Sequence, residues 1–225
     1  MTENEEQKEL HPVLEFIISS RFAGLCGILG PLIALIGIIV AIFVSPWFNW
    51  ITNALSDLGH PTMLGGTNGV PGLNPAAPIF NIGLILAGLI TLVLTLWLIR
   101  HQVFERSVIG VIAGILLMIA QFFLIGIGVF HEGFGFTHFA VSAGFFVTLL
   151  LAGMIYGVRL MQEKHLRIIG VIAFILALIS ALIWVAYFLN LLPFTGVAIP
   201  EIISAVTAII WVYPLCIMLV LQKQM

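Results

Sequence analysis

Residues 107–130 read SVIGVIAGILLMIAQFFLIGIGVF, a run in which, after Ser107, Gln121 is the only strongly hydrogen-bonding side chain. A continuous apolar stretch of about 20 residues is the length an α-helix needs to cross a bilayer. In hydrocarbon the helix is also the only single-segment structure that satisfies its own backbone. Working outward, comparable runs lie at roughly 22–45, 78–99, 138–158, 168–189 and 202–221. The chain is 61% hydrophobic and 8% charged over 225 residues, which leaves too little polar surface to coat a water-soluble globule. The sequence therefore predicts an all-α integral membrane protein, a bundle of six transmembrane helices with a short extracytoplasmic amphipathic helix.

Residues 1–15 form an acidic tail, with Glu3, Glu5, Glu6 and Glu9 against Lys8. That is the wrong charge for a secretory leader, so no cleaved signal peptide is expected. Residues 16–225 read as one six-helix membrane domain. Cys26 and Cys216 fall inside apolar spans, outside any CxxC pattern, and carry no redox or metal signal.

Orientation follows from the basic residues. All eight, Lys8, Arg21, Arg100, Arg106, Arg159, Lys164, Arg167 and Lys223, precede the first span, follow the sixth, or flank the second-to-third and fourth-to-fifth connections. Short loops that keep Lys and Arg stay cytoplasmic. Both termini are thus expected on the cytoplasmic side of the cell membrane, with 46–77, 131–137 and 190–201 facing outward.

Asp57 is the only acidic residue between Glu15 and Glu105, and it lies in the outer stretch PWFNWITNALSDLGHP, residues 46–61. Ser45 reads as an N-cap, Pro46 as the first helical residue, and Gly59 with Pro61 as a stop, giving a helix of about three turns. Asn53, Ser56, Asp57 and His60 would share one face and Phe48, Ile51, Leu55 and Leu58 the other. Trp47 and Trp50 suit the headgroup level. Such a helix either rests on the membrane or walls a pocket; a polar face of Asn, Ser, Asp and His, without Lys or Arg, fits the pocket better. The Gly/Pro-rich loop that follows, 61–78, reads as a lid or as a plain connection.

Other polar residues gather at the same depth: Asn81 at the start of the second span, His131 and Glu132 in the turn after the third, His138 and Ser142 opening the fourth, and Glu201 opening the sixth. Gln121 lies deeper, inside the third span. Thr137 would cap the fourth helix and place His138 in its first turn, where the helix dipole disfavours protonation. A neutral imidazole accepts a proton or ligates a metal.

The combination N-x-x-S-D-L-G at Asn53–Gly59 and I-F-N at Ile79–Asn81 resembles the prokaryotic membrane-protein family known as domain of unknown function 998. The similarity spans nearly the whole six-helix region. It extends to a Phe130-His131-Glu132 step, where the family tends to carry F-P-E, to His138 opening helix four, and to Glu201 entering the last helix. His131 stands where proline is usual and the 61–78 connection is longer than typical, so neither His60 nor His131 inherits a role. A weaker similarity reaches eukaryotic membrane proteins linked to lipid-anchor remodelling. The resemblance implies a six-helix fold and no established reaction.

Segments 109–120, IGVIAGILLMIA, and 169–180, IGVIAFILALIS, coincide at eight of twelve positions. Either a narrow apolar alphabet or a duplicated outward-pointing hairpin produces this.

The chemistry open to these residues divides four ways. A lipid-directed hydrolase or transferase would use Asp57, His138 and Glu132 as catalytic groups, with Asn53, Ser56, Asn81, Gln121, Ser142 and Glu201 binding or supporting. His138, His131, His60 and Glu132 could hold zinc or another divalent metal, although His131 and His138 are separated by Gly133 and Gly135 and form no H-E-x-x-H motif. A non-catalytic lipid or cation binder would use the same pocket. A transporter would need a polar path through the midplane, where chiefly Gln121, Thr148, Ser180 and Thr207 are found. A haem protein would need facing histidines such as His60 and His138. A purely structural tie between Asp57 and His138 is the simplest alternative. Membrane lipids are the expected partners, self-association into a homo-oligomer is left open, and no nucleic acid is expected.

Overall fold

The computed structural model describes residues 19–63 and 72–221; the acidic tail and most of the proposed lid lie outside them. Six helices carry the fold: α1 Ser20–Phe43, α2 Ala76–Phe104, α3 Val108–Val129, α4 Phe136–Gln162, α5 Arg167–Phe188 and α6 Ala198–Val220. All six are long and apolar enough to cross a membrane, and the protein is a polytopic membrane protein. Each helix packs on its neighbours in the chain, α6 closes the ring against α1, and α4 also touches α6.

Small residues set the helix spacing, as expected where lipid provides no hydrophobic drive and van der Waals contact must. At Gly37 a Cβ would stand 3.5 Å from the Gly83 Cα, so α1 and α2 nearly touch through their backbones. A Cβ on Gly170 would fall 2.7 Å from the Gly157 carbonyl, locking α5 to α4 in the same way. The two similar segments bury corresponding positions: Gly110, Ala113, Leu117 and Ala120 on α3, and Gly170, Ala173, Ala177 and Ser180 on α5. Large apolar side chains such as Ile39, Leu96, Val147 and Leu182 point outward, the face a bilayer would cover.

Charge separates the two ends of the ring. Arg21, Arg100, Arg106, Arg159, Lys164 and Arg167 lie at one end, by their places on alternating helices. There the buried Arg159 donates to Gln102 Oε1 at 3.0 Å and to Glu163 at 2.7 Å. Asp57, Glu132 and Glu201 lie at the other.

The outer segment departs from expectation. Instead of an amphipathic helix over 46–59 there is a series of turns ending in a single 3-10 helix, Leu55–Gly59. The apolar spacing was helical, but the backbone groups are taken elsewhere. Asn53 Oδ1 accepts from the Asn49 amide and Asn49 Oδ1 from the Ile51 amide, both at 2.8 Å, the side-chain competition that disfavours Asn within helices. The Ile51 and Asn53 carbonyls accept from Thr195, Gly196 and Ala198 in the α5–α6 connection. Ser45 is therefore not an N-cap; it is buried, and its carbonyl accepts from Phe48. Beyond the 3-10 turn, Thr62–Met63 pairs antiparallel with Gly72–Leu73, Thr62 opposite Leu73.

Candidate functional site

Four segments converge at the acidic end of the bundle: the 55–59 turn, the start of α2, the 132–134 turn between α3 and α4, and the start of α6. Two asparagines hold the first in place. The buried Asn74 donates to the Leu58 and His60 carbonyls at 3.0 and 2.9 Å and accepts from the Ala76 amide, capping α2. Asn81, one turn into α2, donates to the Gly59 carbonyl at 2.9 Å. Gly59 must be small because a Cβ there would meet Asn81 Oδ1 and the Phe80 ring. Asn81 thus binds the outer turn. Asn74 was not anticipated; an Asn-Pro step ahead of an apolar run is its one sequence signal.

Asp57 Oδ2 accepts from Asn53 Nδ2 at 2.6 Å and from the Ala54 amide at 3.1 Å. Glu201, buried in the first turn of α6, accepts the Leu55 amide at 2.6 Å. Glu132 completes a carboxyl trio in which each member lies within electrostatic reach of the others. Its Oε2 is buried without a hydrogen-bond donor, and its carboxyl stands at hydrogen-bonding range of Asp57. Two ionised carboxylates can only accept, so this contact becomes a bond when one proton is present. Burial, the Asp57 bond and the charges of Asp57 and Glu201 together push the Glu132 carboxyl up to about 8. Glu132 therefore keeps its proton to a higher pH than an ordinary carboxyl does. Among the described residues no Lys or Arg neutralises this end.

His138 lies in the first turn of α4, as the sequence implied, but the helix begins after Gly135, whose φ of 56° suits glycine, and Thr137 is inside it. The expected pairing of Asp57 with His138 gives way to other partners. His138 Nδ1 contacts the Phe130 carbonyl at 2.7 Å, and Nε2 faces Ser142 Oγ at 3.2 Å. Asp57 reaches His138 only through charge.

His60 and His131, the other histidines described at this end, are occupied locally. His60 Nδ1 meets the Thr62 backbone and hydroxyl, His131 Nδ1 accepts from the Gly133 amide, and the two rings pack edge to face at 6.3 Å. Among the described residues, no three or more His, Cys, Asp or Glu side chains form a group that could hold a metal. The His138, His131, His60 and Glu132 set is thus not drawn together as a ligand shell.

Beneath the polar cluster, inside the ring, lies a cavity of about 130 Å³. Its wall is overwhelmingly apolar, with residues such as Leu84, Leu94, Phe145 and Ala208, while Ser56, Gln121, Ser142 and Glu201 supply polar groups. A dry apolar cavity of about 150 Å³ accepts a benzene-sized hydrocarbon. The midplane hydroxyls offer no continuous polar path: Thr148 donates to the Gly144 carbonyl, Thr207 to Ile203, and Ser180 pairs with Thr207.

Comparison with protein families matches residues 28–218 to the one described as "Protein of unknown function (DUF998)". The chain belongs to the DUF998 family. The match covers all but the first turns of α1 and the end of α6, so every segment converging on the polar cluster lies within the family region. Comparisons with curated proteins and with solved structures gave no match.

Proposed function

We propose that this DUF998 member is a lipid-directed enzyme, a hydrolase or transferase that takes one alkyl chain into the bundle cavity and works on the attached polar group at the acidic end. The observation that carries the reading is the placement of an apolar cavity of about 130 Å³ directly under Ser56, Ser142 and Glu201. Hydrocarbon enters such a space favourably, by about 0.8 kcal/mol for each CH₂ buried. The polar group would then meet a protonated Glu132 beside Asp57, a general acid and its partner, with His138 within electrostatic reach of Asp57. In this reading both termini lie in the cytoplasm and the cluster opens to the outer leaflet of the cell membrane.

A second reading has its own support. The trio of Asp57, Glu132 and Glu201, with no neighbouring Lys or Arg among the described residues, suits a cationic headgroup, and Asp57 and Glu201 already accept backbone amides; a non-catalytic lipid or cation binder needs no more. Turnover separates the two. Protein in nanodiscs of defined phospholipid is assayed for release of fatty acid by mass spectrometry. The enzyme reading expects product from wild type and none from Asp57→Asn or His138→Ala, with folded yield retained. Equal product from wild type and variants removes it, and a folded, delipidated protein that retains no single-chain amphiphile removes the enzyme and the lipid binder together and leaves the cation binder.

A further inference from the structure

We infer that Ser142 is a nucleophile, activated by His138, that accepts an acyl group from a carboxylic ester carrying a single alkyl chain. The inference rests on the lipid-directed reading and deepens it.

Helical spacing puts Ser142 four residues after His138 on one face of α4. The imidazole is oriented by the chain end beside it. Helix α3 stops at Val129, so the Phe130 carbonyl has no intrahelical amide to accept. It takes the Nδ1 hydrogen of His138 at 2.7 Å, which fixes the neutral tautomer and leaves the Nε2 lone pair on Ser142 Oγ at 3.2 Å. A nucleophile, a base within hydrogen-bond reach and a third group orienting the base make up the general arrangement for covalent catalysis.

Ser142 also differs from most other helix hydroxyls. Thr91, Thr148, Ser204 and Thr207 each donate to the carbonyl four residues earlier, the habit of hydroxyls in apolar helices. Ser142 faces an imidazole instead, and it lines the cavity. Ser56 and Gln121 line the same cavity. Gln121 commits one amide hydrogen to the Leu117 carbonyl at 3.3 Å and retains a second, while Ser56 brings a hydroxyl; both are donors suited to a carbonyl oxygen that becomes negative.

The step balances with water as the only co-reactant. Ser142 Oγ attacks the ester carbonyl carbon as its proton passes to His138 Nε2. The tetrahedral intermediate collapses, the C–O bond to the alcohol breaks, and His138 returns the proton to the departing alkoxide. Water, deprotonated by the same nitrogen, then cleaves the acyl-serine to a fatty acid and restores Ser142.

An octyl fluorophosphonate tests this. Wild-type protein should carry one adduct, mapped by peptide mass spectrometry to Ser142. Ser142→Ala should lose it, and His138→Gln should label about 100-fold more slowly or less, while Thr148→Ala, outside the cavity wall with its hydroxyl on the Gly144 carbonyl, keeps the adduct. Octanoate retention, read by native mass spectrometry, is measured alongside on wild type and on Ser142→Ala. An adduct on another residue, or none in folded protein that still retains octanoate, overturns the nucleophile and leaves the alkyl-chain reading standing. Loss of both labelling and octanoate retention in folded wild type overturns both. Mapping on the wild type decides the matter even where a variant fails to fold.

Discussion

Glu201 accepts the amide hydrogen of Leu55 at 2.6 Å, across 146 residues of chain. This bond ties the first outer connection to the last helix and gives the Leu55 amide an acceptor that Ala54, at the cap position, cannot supply.

Removing that acceptor isolates its contribution. Glu201→Ala leaves the Leu55 amide buried and unpaired, a loss of about 1–3 kcal/mol. Glu201→Gln keeps an acceptor while discarding the charge. Both remove the ionisable group, so the difference in thermal stability between the two variants in detergent reports the bond. Equal melting temperatures would mean that the turn is held without it.

The proton at Glu132 makes stability depend on pH. The folded carboxyl is raised to about 8 from an ordinary value of 4.5, so between these limits the folded chain binds more protons than the unfolded one. Its contribution is full below about 4.5 and is lost as pH rises through about 8. The wild-type melting temperature should fall over this interval relative to that of Glu132→Gln, which stays neutral at every pH. Parallel curves for the two proteins would show that Glu132 ionises freely.

The six spans were legible because a bilayer demands long apolar runs, and the end at which the carboxyls gather followed from the placement of Arg and Lys. The ends of the spans were less so: α2 continues to Phe104 rather than residue 99 because Gln102 is buried against Arg159. The outer helix was misread for a deeper reason. Helical spacing at Phe48, Ile51 and Leu55 records which side chains are apolar; it does not record that Asn49 and Asn53 bind backbone amides or that the α5–α6 connection takes the Ile51 and Asn53 carbonyls. The site was legible as a set of residues at one depth, whereas its pairings were not. His138 is oriented by the Phe130 carbonyl and Leu55 is held through its amide, and backbone atoms leave no mark in a sequence.

Asn81 and Gly59 should behave as one unit. A Cβ at Gly59 would approach Phe80 Cδ1 to 2.9 Å and press on Asn81, forcing the turn off α2 and weakening the Asn81 bond to the Gly59 carbonyl. Gly59→Ala is expected to lose about 1–3 kcal/mol. In an Asn81→Ala background part of the obstruction is gone, so the same substitution should cost less, and a double-mutant cycle should give a coupling of about 0.5–3 kcal/mol. Additive effects would place the two residues in independent roles.

Filling the cavity tests the alkyl-chain reading without touching a polar group. Ala208 lines the cavity and packs against the core, and Ala208→Leu would project a larger side chain into the same space. Each CH₂ displaced from burial forfeits about 0.8 kcal/mol, and about 1.4 kcal/mol corresponds to a tenfold change in affinity. Displacing two methylenes should therefore weaken octanoate retention by roughly tenfold or more. Leu182→Ala, on the lipid-facing surface of α5 at 56% exposure, should leave retention unchanged. Native mass spectrometry of both variants decides the matter: if Ala208→Leu binds octanoate as wild type does, the chain lodges somewhere other than this cavity, and the polar groups above it lose the substrate that aligns them.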